Sequence, residues 1–543
     1  MNKLILTTIA LVFSLVALTQ EPKKTQSIDI NSTYKPVLRN AVKINLSGTQ
    51  LIADTSLPNL SYKIPSQNLF YALKPITLRP LALEQDTNVY LGNRKFLKAG
   101  FGNFTTPYIS AGISLGDGKK SLVNFTADYI QSKGTAIENQ NYSMLNTKAV
   151  ASYFLPKSEV YGGIDLNLYN YYLYGYDHSL YTFKKDSIKQ QFQNVAFKIG
   201  FKNTKATESG ISYNPNIEVT SFINKDKASE VGAIITLPFE KIINENFAAK
   251  IDLKADVNKY TSKSLLPINV NFTNTIVQIN PAVIYHSNLF KLHGGITAAW
   301  NNKKYELLPD VYAEIPVQDK VFAIQAGWIG RFVKNSYKNL TTINPYLSPL
   351  LAQINTKETE YYGGIKASIA KHFNFSAKAG VVHYNNLPFY INDTLANDKS
   401  FLISNETSVN NFRIHGDISY INQDKFSLTG AINYNGYTSM QSNYRAWHTI
   451  PVEVTASLRW WALKTILIKS DIRFIDGSNY LAKGNVAKPM GAGTDLSAGL
   501  EFKITKNISV WGDANNILNS KYQRWHNYEV YGANFMGGIL LHF

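Results

Sequence analysis

Residues Phe247–Val257 read FAAKIDLKADV, a stretch in which apolar and polar side chains alternate. Successive side chains of a β-strand point to opposite faces, so this segment would have one apolar face and one charged face. The same alternation recurs in Phe412–Tyr420 and in Leu496–Ile504. Each of these segments therefore predicts a strand whose two faces meet different environments.

The composition indicates that the apolar faces meet lipid. Charged residues make up 17% of the chain, against a usual share of about 25% in soluble proteins. A membrane-spanning helix needs about 20 consecutive apolar residues, and no such run occurs between Glu21 and Phe543. Any membrane crossing must therefore be made by strands. A soluble β-sandwich, which also shows period-two alternation, remains the alternative.

The connections between these strands alternate in length, which is typical of outer-membrane barrels. Backbone groups inside a bilayer must all be paired, and only a closed sheet leaves no bare edge. We therefore predict an all-β fold over residues 95–543, a transmembrane antiparallel β-barrel of about 22 strands. The short connections are predicted at 116–118, 156–158, 316–319, 371–372, 422–424 and 505–507. The long ones are predicted at 131–141, 176–187, 334–358, 384–406, 436–450, 476–491 and 518–532.

The N-terminal part differs from the rest of the chain. Lys3 followed by the apolar stretch Leu4–Leu18 predicts a cleaved signal peptide over residues 1–20. Prolines are spread through residues 21–94 at positions 36, 58, 65, 75 and 80, and they oppose helices and central strands, so we expect an irregular periplasmic or lumen-tucked segment. The chain has no cysteine, which excludes disulfides and a lipid-attachment cysteine.

The net charge is +17 and the lysines are spread along the chain. Without a basic stripe, contact with lipopolysaccharide or a basic lumen is favoured over nucleic-acid binding. The expected partners are outer-membrane lipid and lipopolysaccharide. The last strand ends in an aromatic residue and carries Phe535, Ile539, Leu541 and Phe543 on one face. It resembles the signal that the barrel-assembly machinery recognises, so that machinery is a further expected partner.

Residues 510–522 read VWGDANNILNSKY. In this segment Asn516, Ile517, Leu518, Asn519 and Tyr522 occupy the positions of the Asn-Leu-Phe-Asp-x-x-Tyr motif, so the segment resembles the one after the penultimate strand of TonB-dependent receptors. That resemblance implies a receptor barrel and TonB as a partner. Residues 21–94 are too few for the plug domain of such receptors, which puts energised uptake in doubt. The composition, rich in Tyr, Phe and Asn, resembles that of outer-membrane proteins of the Bacteroidetes.

Aromatic and arginine side chains of the long loops are candidate ligand contacts. Aromatic faces and amides suit sugars, and arginine suits carboxylates or phosphates. The plainer interpretation is anchoring at the membrane interface. The candidates are Tyr444, Arg445, Trp447, Arg524, Trp525 and Tyr528.

No catalytic, metal or cofactor motif stands out, so we expect a protein that is not an enzyme and has no cofactor. The preferred function is uptake or binding of a solute at the cell surface. The alternative is a non-transporting barrel that acts as a scaffold for a periplasmic or surface partner. Because a wide open pore would breach the membrane barrier, we expect residues 21–94 or an inward-folded loop at 335–358 to occlude the channel.

Overall fold

The computed structural model describes residues 95–543 except 135–136, 226, 264–268, 318–320, 370–371 and 423–424. The predicted signal peptide and the segment 21–94 lie outside the described residues. Within the described residues, no helix is long and apolar enough to cross a membrane.

The described chain is built almost entirely from antiparallel strands. One α-helix, α1 (Tyr337–Ile343), and two 3₁₀ turns, Lys185–Ile188 and Thr394–Ala396, lie in the connections. The strands are β1 (Lys95–Gly102), β2 (Thr106–Gly116), β3 (Ser121–Ser132), β4 (Tyr142–Phe154), β5 (Ser158–Tyr172), β6 (Lys189–Asn203), β7 (Ile211–Tyr213), β8 (Asn216–Asn224), β9 (Ala228–Ile242), β10 (Phe247–Lys263), β11 (Asn269–His286), β12 (Lys291–Asn301), β13 (Lys304–Val317), β14 (Phe322–Val333), β15 (Thr356–Ile369), β16 (Phe373–Asn392), β17 (Phe401–Asn422), β18 (Phe426–Thr438), β19 (Val452–Leu463), β20 (Ile466–Asp476), β21 (Asn479–Ala482), β22 (Val486–Pro489), β23 (Gly493–Lys503), β24 (Ile508–Asn515), β25 (Gln523–Trp525), β26 (Tyr528–Glu529) and β27 (Asn534–His542).

The main sheet closes on itself. Strand β1 pairs with β2 on one side and with β27 on the other, so Ala99 lies opposite both Ile109 and Ile539. Strands β7 and β8 both pair with β9 and form one wall strand, interrupted where Pro215 cannot donate to the ladder. The result is a closed antiparallel barrel of 22 strands, which confirms the predicted fold class and strand number. The small hairpins β21–β22 and β25–β26 stand apart from it.

The two faces of the wall follow the alternation seen in the sequence. On β10, Ile251 and Val257 lie on the outer face and are 40% and 38% exposed. Asn258, one residue further along, faces the lumen and is buried. Exposed apolar side chains on the outer face of a closed sheet are what a bilayer stabilises. The apolar faces of the strands therefore form the lipid-facing belt.

The two ends of the barrel differ. The start of β1 and the end of β27 lie at the end with short turns, which is the periplasmic end by the rule for such barrels. The long loops lie at the opposite end, which we call the outer end. One predicted long connection, 384–406, is wrong, because β16 and β17 stay paired out to Asn392 and Phe401. Beyond the membrane a hairpin needs no apolar outer face, so the alternation that identifies strands is lost there.

Candidate functional site

Loops at the outer mouth of the barrel share one apolar core, which we call the cap. Its side chains come from the loops 173–188, 334–355 and 516–533 and from the outer ends of the wall strands. The buried members from the loops, β16 and β17 are Leu173, Tyr174, Tyr176, Ile188, Tyr337, Leu340, Tyr346, Leu347, Leu350, Tyr390, Phe401, Trp525 and Tyr528.

The loop 334–355 folds into the barrel mouth and provides the centre of the cap. Ser336 caps α1, accepting a hydrogen bond from the Asn339 amide at 3.2 Å. Glu230, on the lumenal face of β9, accepts hydrogen bonds from the Tyr337 backbone N–H at 2.8 Å and from the Gln353 side chain at 2.9 Å. A carboxylate at the first turn satisfies donors that a helix leaves unpaired. One acidic side chain of the wall therefore holds both ends of this loop.

A buried ion pair fixes the start of the same loop. The Lys334 ammonium contacts an Asp256 carboxylate oxygen at 2.9 Å and donates to the backbone carbonyl of Asn274 at 2.9 Å. Burial lowers the pKa of Lys334, while Asp256 opposes that shift. At the other end of the loop, Asn355 exchanges side-chain hydrogen bonds with Asn274 at 2.6 and 2.8 Å. The loop is thus attached to the inner wall by polar contacts on both sides.

Stacked aromatic rings join this loop to the loop before the last strand. The rings of Tyr346 and Tyr528 have centroids 3.6 Å apart, and Tyr174 meets Tyr528 at 4.7 Å. Trp525 packs edge-on against Phe401 at 5.5 Å. Burial of each such ring stabilises the closed arrangement by about 1.5–3 kcal/mol. The prediction of an inward-folded loop at 335–358 matches this arrangement, whereas occlusion by residues 21–94 falls outside the described residues.

The buried tyrosine hydroxyls of the cap have partners. Tyr174 donates to the Glu529 carbonyl at 3.0 Å, and Tyr390 donates to the Leu340 carbonyl at 3.0 Å. Tyr528 donates to the carbonyl of Lys399. Burial raises the pKa of Tyr174 well above its usual range, so the hydroxyl stays protonated. A buried polar group costs free energy unless it is paired, so these bonds allow tyrosines to serve as core residues.

The structure divides the six predicted ligand contacts into an exposed pair and a buried group. Tyr444 is 48% exposed and Arg445 is also on the surface. The other four are 0–3% exposed: Trp447, Arg524, Trp525 and Tyr528. In this closed arrangement the buried four belong to the loop core, and only Tyr444 and Arg445 present a face to the outside.

His448 joins the two loops that carry these residues. Its Nδ1 lies 2.7 Å from the Tyr390 carbonyl, and its Nε2 lies 3.3 Å from the backbone nitrogen of His526. The Arg524 guanidinium donates to the His448 carbonyl at 2.6 Å. Because the His526 N–H must donate to Nε2, the ring is neutral with its proton on Nδ1. The loops 439–451 and 516–533 are therefore held together by one uncharged histidine.

Burial keeps this histidine uncharged. It lowers the pKa of His448 to about 3, and the nearby Arg524 acts in the same direction. Burial also lowers the pKa of His526 to about 4. The His526 ring stacks on Tyr480, with centroids 3.6 Å apart. Both rings would bind a proton more readily if the cap opened, which makes the cap sensitive to acid.

Charged side chains on the lumenal wall pair with neighbours across the strands. Arg331 contacts Glu358 at 2.7 Å, and Arg413 contacts the same carboxylate at 3.3 Å. Lys378 contacts Glu360 at 2.8 Å. Cross-strand pairs of opposite charge stabilise a sheet and leave its inner face hydrophilic. On these strands the inner wall therefore carries charges of both signs, and they are paired with each other.

The receptor-like motif near the C-terminus shapes a turn. Asn516 has a φ of 46° and Asn519 a φ of 51°, a left-handed region that asparagine tolerates. The Asn516 side chain accepts from the Ser520 amide at 2.9 Å and donates to the Tyr531 carbonyl at 2.8 Å. Tyr522 is buried, whereas Leu518 is 54% exposed. In this structure the motif positions the loop that carries Trp525 and Tyr528.

Most side chains of the predicted assembly signal are exposed on the outer face at the last strand. Phe535, Ile539 and Phe543 are 56%, 51% and 66% exposed. Leu541 is half-buried at the same edge of the barrel wall. Their recognition by the barrel-assembly machinery stays a prediction.

Among the described residues, no group of three or more His, Asp or Glu side chains could hold a metal ion.

Comparison with known proteins finds similarity in structure alone. No family model and no curated protein sequence matches the chain. The FrpB iron transporter from Neisseria meningitidis (F3-3 variant) matches with a TM-score of 0.64 and 11% identity, covering 83% of this chain and 82% of that chain. The ferric-catecholate import receptor Fiu from E. coli K12 matches with a TM-score of 0.60 and 10% identity, over 83% and 82%. The copper transporter OprC matches with a TM-score of 0.59 and 12% identity, over 83% and 81%.

At these identities the likeness shows the fold. It confirms the resemblance to TonB-dependent receptors at the level of barrel architecture. The described chain is a transmembrane barrel of 22 strands with the fold of TonB-dependent outer-membrane receptors.

Proposed function

We propose that this protein is a gated outer-membrane receptor that binds a solute at the cell surface and admits it to the lumen. The cap carries this proposal, because loops far apart in sequence meet over the mouth through Tyr346 and Tyr528. A barrier of this kind is needed where the wall is wide enough for a channel. The hydrophilic wall below it, with Arg331, Glu358 and Arg413, suits the passage of a polar solute. FrpB is an iron transporter, Fiu a ferric-catecholate import receptor and OprC a copper transporter, and their likeness in fold supports the same function.

Conductance in planar bilayers tests the gate. Four proteins are compared: the full chain, a chain lacking 21–94 but retaining 1–20, a chain with 337–350 replaced by a short Gly-Ser linker, and the double variant. We expect the full chain to stay closed and the double variant to conduct steadily. The two single variants then show which segment contributes to the barrier. A large constant pore from the full chain would contradict gating.

Binding of a TonB C-terminal domain separates an energised receptor from other barrels. We propose that the contact segment lies within 21–94, since TonB acts from the periplasm. Pull-down by the full chain, lost on deletion of 21–94, would support energised uptake. A barrel that binds no TonB domain, and stays closed even in the double variant, would fit the scaffold alternative instead.

A further inference from the structure

A polar cavity lies on the outside of the barrel, at the outer ends of β3 to β6. On this face β3 to β5 are mainly apolar up to the row Tyr129, Leu145 and Leu168, which are paired in register, whereas β6 already has Gln193 in that row. The next row toward the outer end consists of Gln131, Ser143, Asn170 and Gln191.

Lysines lie above this row of amides and hydroxyls. Lys133, Lys185 and Lys189 line a cavity of about 730 Å³ together with Asn170. Among the described residues none of the three forms a salt bridge. One carboxylate, Glu138, also lines the cavity, so positive charge prevails. We call this cavity with its lysines the rim site.

The rim site offers a ligand one unpaired polar atom and one aromatic face. The Asn170 side-chain oxygen is buried without a hydrogen-bond donor, although the same amide donates to Ser143 at 2.9 Å. A buried acceptor of this kind is costly unless a donor reaches it. The ring of Tyr172 also lines the cavity, with the Lys185 ammonium 5.0 Å from its centre. An amide acceptor suits a sugar hydroxyl, and an aromatic face suits a sugar ring.

The order of these groups along the membrane normal indicates which class of ligand would fit the site. From the membrane outward, the wall presents apolar side chains, then amides and hydroxyls, then lysines. A phosphorylated glycolipid presents acyl chains, then sugar, with phosphate groups attached to it. We propose that the rim site binds the phosphorylated sugar headgroup of a glycolipid in the outer leaflet. This site faces lipid, lies outside the lumen and is independent of the proposed transport function.

Native mass spectrometry of the purified full chain in detergent tests the site, with diphosphorylated lipid A as the probe. The Lys133→Ser/Lys185→Ser/Lys189→Ser variant should raise the dissociation constant about tenfold, since charge-assisted contacts to phosphate are lost. A matched control replaces three exposed lysines elsewhere at the outer end, Lys259, Lys263 and Lys303, with serine. This control should change the constant less than about twofold. All variants should keep the heat-dependent gel shift of a folded barrel.

Further arms separate phosphate, sugar and acyl recognition. Dephosphorylated lipid A should bind wild type and the rim variant alike, and glucose 1-phosphate should compete for the site more strongly than inorganic phosphate does. Asn170→Ala should weaken both forms of lipid A, because it removes the acceptor for the sugar. An equal loss of affinity for diphosphorylated lipid A in the rim and control variants would show that only the overall positive charge matters, and it would overturn the site. If wild type bound dephosphorylated lipid A as tightly as the diphosphorylated form, the acyl chains would account for the binding. That result would also overturn the site.

Discussion

The ring of Tyr346 stacks on the ring of Tyr528 with 3.6 Å between their centroids, above the outer mouth of the barrel. Tyr346 belongs to the loop after β14, and Tyr528 belongs to the hairpin before the last strand. The contact therefore joins parts of the wall that the strand ladder keeps apart. Both rings are buried, so the cap has an apolar core of its own.

Removing one ring should loosen the cap and leave the wall intact. Tyr528→Ala deletes a fully buried aromatic side chain, and we expect it to destabilise the closed cap by about 3–5 kcal/mol. Proteinase K added to intact cells should then cleave the outer loops much faster than in wild type. Tyr444→Ala, at a loop tyrosine that is 48% exposed, is the control and should leave the cleavage rate nearly unchanged. Equal cleavage of both variants would show that the cap has no such core.

The buried pair of Lys334 and Asp256 should show coupling. Lys334→Met leaves a carboxylate without its cation in the cap, which costs about 3–5 kcal/mol. Adding Asp256→Asn should restore part of that loss, because the uncompensated charge disappears. Hydrogen exchange of the backbone amides in 334–355 measures both effects. Exchange that is as fast in the double variant as in Lys334→Met would contradict the coupling.

Acid should open the cap. Burial holds the pKa of His448 at about 3, below its ordinary value of 6.5. Between these values the opened cap binds more protons than the closed cap, so the stability of the closed cap falls as the pH decreases. We expect loop cleavage by an acid-active protease to increase as the pH is lowered from 6.5 toward 4.

The control removes the titrating ring. His448→Gln should weaken the cap at neutral pH, because it disturbs the contacts to Tyr390 and His526, but it should flatten the dependence on pH. Burial lowers the pKa of His526 to about 4, so this second ring should leave a smaller residual dependence of cleavage on pH. An unchanged slope in His448→Gln would assign the acid response to other groups.

The turn at Asn516 should depend on both its backbone and its side chain. Asn516→Ala removes hydrogen bonds to Ser520 and Tyr531 and places a Cβ residue without them at a φ of 46°. We expect a loss of about 2–4 kcal/mol in the free energy of unfolding, combining strain and unpaired groups. Asn516→Gly relieves the strain and should lose about 1 kcal/mol less. Urea unfolding in detergent compares the two, and equal midpoints would contradict the role of the left-handed backbone.

The barrel wall could be predicted from the sequence because the alternation of apolar and polar side chains is a pattern within each strand. Alternation in Phe247–Val257 alone assigns Ile251 to the lipid face and Asp256 to the lumenal face, and both assignments hold. The number of strands followed from the same rule together with the turn lengths. The rule failed at 384–406, where the hairpin rises beyond the membrane and its outer face need not be apolar.

The cap could not be predicted in the same way because its contacts are not local. No pattern within either segment indicates that Tyr346 meets Tyr528, or that Glu230 of the wall holds α1. Aromatic residues in long loops suggested ligand contacts, yet Trp525 and Tyr528 are core residues in the closed arrangement. One local signal was present: Leu340, Leu347 and Leu350 are apolar side chains within a loop otherwise rich in polar residues. Apolar residues in a long loop indicate burial as much as binding.

Cysteine labelling in intact cells tests the closed outer mouth most directly. The chain has no cysteine, so Lys254→Cys on the lumenal face of β10 and Tyr444→Cys on the outer surface can each be labelled alone. A bulky polyethylene-glycol maleimide is added outside, to the full chain and to a chain lacking 21–94. We expect Tyr444→Cys to be labelled in both chains and Lys254→Cys to be labelled in neither. Replacing 337–350 with a short linker in the chain lacking 21–94 should make Lys254→Cys accessible to the label. Rapid labelling of Lys254→Cys with the loop 334–355 intact would show that the mouth is open and that the cap is no gate.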